Sequence, residues 1–74
     1  LNAVEFNISN ELKTIRVQFT KIKKMPFLHL FQQAVTKLKV VVTFMAILEM
    51  IQNKELLLVQ DNVFGEIQLE AKVA

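Results

Sequence analysis

The chain has 74 residues, enough for one domain and too few to bury more than about 60% of its unfolded surface. It has no cysteine, which excludes disulfides and thiolate metal sites, and its net charge of +2 is too mild to demand a nucleic acid or an anionic membrane as partner. Hydrophobic residues make up 53% of it, with one Gly and one Pro, so it must form a dense core rather than stay disordered. Its longest apolar run falls well short of the ~20 residues of a membrane span. The start carries no basic stretch followed by an apolar one, so no signal peptide is read. The first residue is Leu1, not Met, and the chain is expected to be one module of a longer protein.

In chain order, residues 4–8 alternate, with Val4, Phe6 and Ile8 on one side, and predict a short strand. Ser9 then serves as an N-cap, with Glu11 in the first turn, and a first helix is expected over 10–22. Leu12, Ile15, Phe19 and Ile22, three and four apart, form its buried stripe, while Val17 lies outside it. Lys23 to Pro26 break that helix, and Pro26 suits the first turn of a second one over 26–35, with Phe27, Leu30, Phe31 and Ala34 inward. A third helix follows over 40–51, VVVTFMAILEMI, with Thr36 as N-cap and Asn53 as the left-handed residue at its end. Residues 56–60 and 66–70 read as two strands of a β-hairpin, with Ile67 and Leu69 on one face and Gly65 free to take a positive φ between them. Residues 71–74 are expected to fray. Three helices followed by a hairpin, with the short strand in front, make an α+β winged-helix arrangement in a single domain.

The third helix organises the rest. Its apolar arc is about twice the roughly 100° stripe that a surface helix needs, in a chain with little else to surround it. Val40, Ile47 and Ile51 are assigned inward. Phe44, Leu48, Val41 and Met45 become the candidates for a partly exposed patch, because aromatic and Met side chains so spaced make good anchors in a partner's pocket.

Little supports catalysis. His29, the only histidine, sits between Leu28 and Leu30 and reads as structural; no cluster has metal-ligand spacing; and a single glycine cannot build a phosphate loop. Glu66 and Glu70 are paired carboxylates without an apolar pocket to tune them, so they read as a solvated strand face. No cofactor and no enzyme activity are expected. Sequence-specific DNA reading is disfavoured too, since residues 40–51 contain no Arg, Lys, Asn or Gln to reach base edges. Lys21, Lys23 and Lys24 could touch phosphates, but a charge run of this kind reads first as a solvated surface.

Residues 41–49, VVTFMAILE, then LVQ at 58–60 and FGEI at 64–67 resemble, in that order, the "VVxTFLALLEL" helix, the "xLEQ" strand and the "FGDI" turn of the C-terminal winged-helix domain of bacterial kleisins, the ScpA (segregation and condensation protein A) family. The resemblance covers about Met25 to Leu69, and residues 8–22 fit the family's first helix only by pattern. Met25-Pro26-Phe27 departs from the usual Ser before Phe, and Thr36-Lys37 from the usual Ser-Arg, where Lys loses any bidentate contact of an Arg. The resemblance implies a docking module for the ATPase head of an SMC (structural maintenance of chromosomes) protein, closing the SMC–kleisin ring in chromosome condensation and segregation. It further implies a cytoplasmic, nucleoid-associated location and a second accessory subunit bound through a middle region outside this chain. It matches Phe44 and Leu48 to the family's contact positions, and implies no membrane and no sequence-specific DNA contact. A winged-helix nucleic-acid binder is the alternative; a mini-domain that self-associates through the same patch when expressed alone is a third.

Overall fold

The computed structural model describes residues 3–72. It is an α+β fold: helix α1 (Ala3–Lys21), strand β1 (Lys24–Pro26), a 3-10 turn (Phe27–Phe31), helix α2 (Lys37–Gln52), and strands β2 (Leu56–Val59) and β3 (Gln68–Ala71). The sheet is antiparallel in the order β1-β3-β2, so the last strand lies in the middle.

The predicted N-terminal strand is the first turns of α1 instead, and Ser9 lies inside the helix rather than capping it. A five-residue alternation is outweighed by a longer pattern. Ile8, Leu12, Ile15 and Phe19 recur four, three and four apart, so the helical stripe begins a turn earlier than expected, and all four belong to or pack on the core. Ile22 lies past the end of α1 and is half-exposed, not part of the stripe.

The expected second α-helix is also corrected, since the described residues hold two α-helices with β1 and the 3-10 turn between them. Pro26 adopts φ −59° and ψ 139°, an extended conformation, and Phe27 N donates to Ile67 O at 2.9 Å, so the sheet captures the segment that pattern alone read as helical. Lys23 O accepts from Ala71 N on the other side, and this alternation turns the nitrogen of Pro26 away from β3, where its missing N–H costs nothing. Leu30 is buried, while Phe27, Phe31 and Ala34 are only half-buried.

Thr36 caps α2 as expected, its Oγ1 accepting from Lys39 N at 3.1 Å. The far end differs. Asn53 has φ −81°, and the left-handed residue is Lys54, at φ 63°. Lys54 N donates to Ile51 O and Glu55 N to Met50 O, the paired bonds of a Schellman motif. A left-handed position costs an L-residue about 1–2 kcal/mol that glycine avoids, at some expense in chain entropy. Lys54→Gly is therefore expected to raise stability by about 0.5–1 kcal/mol in urea unfolding.

Two ion pairs occur among the described residues. Arg16 grips Glu55 through Nε–Oε1 at 2.8 Å and Nη2–Oε2 at 2.9 Å, tying α1 to the start of β2. The hydrogen bond to Arg16 holds the Glu55 carboxyl below its usual range, and the same bond raises Arg16. The Glu55 contribution is thus present above the unfolded carboxylate range and lost as pH falls through the depressed value. Both groups are solvent-screened, so Glu55→Gln is expected to cost no more than about 1 kcal/mol at neutral pH. That difference should shrink progressively as unfolding is measured at pH values further below the unfolded carboxylate range.

Leu69 anchors the sheet's inner face between Met25 and Leu58, and the core joins Leu12, Ile15, Leu30, Ala46, Ile47, Met50, Leu56 and Leu69. Ala71, expected to fray, is paired within β3. In the loop from β2 to β3, Gly65 does not have a positive φ; a side chain there would sit 3.2 Å from Asn62 O and Oδ1, so closeness rather than dihedral freedom favours glycine.

Candidate protein-docking face

Helix α2 is apolar on two opposite sides, and they differ in size. Val42, Thr43, Ala46, Ile47 and Met50 are buried against α1 and the sheet. Val40, Val41, Phe44, Met45 and Leu48 are exposed over an arc of roughly 140° at about 100° per residue, centred opposite the buried side. The expected inward set is therefore revised: Ile47 is buried, Ile51 is half-buried, and Val40 is 42% exposed. The helix turns its small residues inward. Ala46 and Thr43 are fully buried on the inner side, while Val40, Val41, Phe44, Met45 and Leu48 stay about half-exposed among the described residues.

A buried polar contact fixes that rotation. The carboxylate of Glu11, 5% exposed, accepts from Thr43 Oγ1 at 2.9 Å and from Lys39 Nζ at 2.5 Å. Both donors lie on the first turns of α2, so the network orients it relative to α1. No buried side-chain polar atom among the described residues lacks a partner.

The outward side of α2 borders two shallow grooves with wholly apolar linings. One, about 400 Å³, lies between Phe27, Leu28 and Phe31 of the 3-10 turn and Val40, Val41 and Phe44. The other, about 220 Å³, runs from Phe44 and Leu48 to Leu58 and Ile67 of the hairpin. Phe27 and Phe44 line both. Met45 and Leu48 border a third hollow with Ile8 and Glu49. All four candidate residues, Val41, Phe44, Met45 and Leu48, thus lie on one connected apolar surface. Sequence pattern does not show the far walls: Phe27 and Phe31 read as inward and do pack on the core, yet they also line the first groove, and Leu58 is hidden in the uniform run Leu56-Leu57-Leu58. Alternation along that run from buried Leu56 is the signal that puts Leu58 on the helix side of the sheet.

The remaining candidates are not brought together. His29 is exposed on the 3-10 turn, Glu66 lies in the loop before β3, and Glu70 stands opposite Lys24 on the outer face of the sheet. Among the described residues no group of His, Cys, Asp or Glu could hold a metal ion, and no helix is long and apolar enough to cross a membrane.

The family model described as segregation and condensation protein ScpA matches residues 3–72. A segregation and condensation protein A from Lactococcus lactis subsp. lactis (strain IL1403) is 39% identical over 70 residues, covering 95% of this chain and 29% of the relative. One from Clostridium perfringens (strain SM101 / Type A) is 35% identical over 66 residues, covering 89% of this chain and 27% of the relative. This chain therefore spans less than a third of the length of these relatives. No solved structure matches it. Since the family model takes in nearly every residue of both helices and the whole sheet, the chain belongs to the ScpA family of segregation and condensation proteins.

Proposed function

We propose that this chain is a non-catalytic docking domain that binds the ATPase head of an SMC protein, as part of a kleisin that closes the SMC ring in chromosome condensation and segregation. The observation that carries this reading is the outward side of α2, where Val41, Phe44, Met45 and Leu48 are exposed beside two all-apolar grooves. Aromatic, Met and Leu side chains packed around hollows are what a partner's apolar projections need for desolvated anchoring. In this reading the fold works as a reduced winged helix, the 3-10 turn standing in for the second helix and the β2–β3 hairpin for the wing. The domain would act in the cytoplasm at the nucleoid, with an accessory subunit held by another part of the full-length protein. Base reading by α2 is disfavoured, because the side chains of its outward patch, Val40, Val41, Phe44, Met45 and Leu48, carry no hydrogen-bonding group for a base edge.

The test is retention of a purified SMC head by the immobilised chain. Capture with a Kd of about 10 μM or tighter is expected. A head that passes through unretained at that concentration refutes the docking reading.

A further inference from the structure

Lysine collects at one end of the molecule, where α1 and β3 end and β1 and β2 begin. Ala71 N donates to Lys23 O at 2.8 Å and Lys72 N to Glu55 O at 3.0 Å, so the backbones carrying Lys23, Lys72 and Lys54 are tied together. Lys54 and Lys72 line, with Arg16 and Thr20, an open groove of about 420 Å³. Lys21 follows Thr20, Lys24 follows Lys23, and all five lysines are exposed. The carboxylates nearby are Glu55, held by Arg16, Glu70, opposite Lys24, and Glu49, whose charge reaches Arg16. Neither ion pair among the described residues uses any of these lysines. The loop at 60–67, joined to the far ends of β2 and β3, carries Asp61 and Glu66 and no cation.

Sequence alone showed only the Lys21, Lys23 and Lys24 run. Folding adds Lys54 and Lys72 from thirty to fifty residues away along the chain. The groove also lies off the docking face, for Met50, which lines it, is on the buried side of α2.

We propose that this end of the domain binds the phosphate backbone of duplex DNA without reading its sequence. Phosphate is the anion that suits it. Lysine meets phosphate as a point charge, and the single arginine, Arg16, is already committed to Glu55, so this end has charge to follow a phosphate backbone but no free guanidinium fork to grip a base edge bidentately. A lipid surface fits less well, because the exposed phenylalanines that would anchor in it, Phe44 and Phe64, lie on the docking face and in the 60–67 loop. The proposal does not depend on what α2 docks against.

Fluorescence anisotropy of a labelled duplex of about 30 base pairs, titrated with this chain over a range of KCl, tests it. Weak binding at low salt is expected, the same for a scrambled duplex. The slope of log K against log salt should be about −2.7 to −3.6, from three or four phosphates at ~0.9 each. The combined change Lys23→Gln, Lys24→Gln, Lys54→Asn and Lys72→Gln should weaken it at least about tenfold, and asparagine tolerates the left-handed position, so the fold is kept. Phe44→Ser should leave DNA binding unchanged, which separates this surface from the docking face. A flat salt dependence, a sequence preference, an unaffected lysine variant, or tighter binding to phosphatidylglycerol vesicles or polyglutamate would overturn the proposal.

Discussion

Replacing Phe44 or Leu48 with arginine is expected to weaken capture of an SMC head at least about a hundredfold while changing unfolding free energy by no more than about 1 kcal/mol. The two effects separate because of where the side chains stand. Each is close to half-exposed, Phe44 at 45% and Leu48 at 43%, so a guanidinium can leave the helix surface for water without entering the core. In a docked complex the same group faces an apolar partner with its charge unpaired. Anchor residues of this kind are worth about 2–4 kcal/mol each, and 1.4 kcal/mol is a factor of ten in affinity. Val63→Arg, in the loop and 82% exposed, is the control and should leave capture unchanged. A drop in thermal stability that parallels the loss of binding would place Phe44 and Leu48 in the core and remove the docking face.

The largest effect on stability is expected at Lys39. Lys39→Met takes the counter-charge from a carboxylate that is 5% exposed and leaves Thr43 as its one remaining donor. Removing one partner of a buried pair costs about 3–5 kcal/mol, and because Lys39 itself is half in water the expected loss is about 2–3 kcal/mol. In a domain of this size that is a large share of the total. Thr43→Val should cost about 1–2 kcal/mol by depriving the carboxylate of a hydrogen bond. The double variant Glu11→Met, Lys39→Met should recover much of the single loss, because charge and counter-charge leave together. Additive losses in urea unfolding would mean that the pair contributes nothing as a pair.

What the sequence made legible was local, and what it hid was tertiary. The Thr36 cap and the hairpin were readable because each rests on a few adjacent residues. The rotation of α2 was half hidden. The spacing puts Phe44 and Leu48 outward and Ile47 inward, as found, but it also puts Val40 inward and passes over Thr43 and Ala46, which are fully buried. The clue lay in Glu11, whose burial makes sense only with Thr43 and Lys39 beside it, 32 and 28 residues away. Likewise β1 was invisible, because three residues ending in proline carry no strand pattern and become a strand only when β3 arrives to pair with them. Both grooves inherit this, since Phe27 forms a wall of each and its N–H is bonded to Ile67.

That central position of β3 has a bearing on when the domain can exist at all. During synthesis the helices and Met25 emerge first, but their sheet has no middle until residues 68–71 leave the ribosome. A nascent or clipped chain that stops at Glu66 lacks the strand that both its neighbours are hung from, so it should present no finished groove to any partner. Assembly is thereby deferred to chains translated through β3, and a cut that removes β3 would silence the whole domain rather than blunt one edge of it.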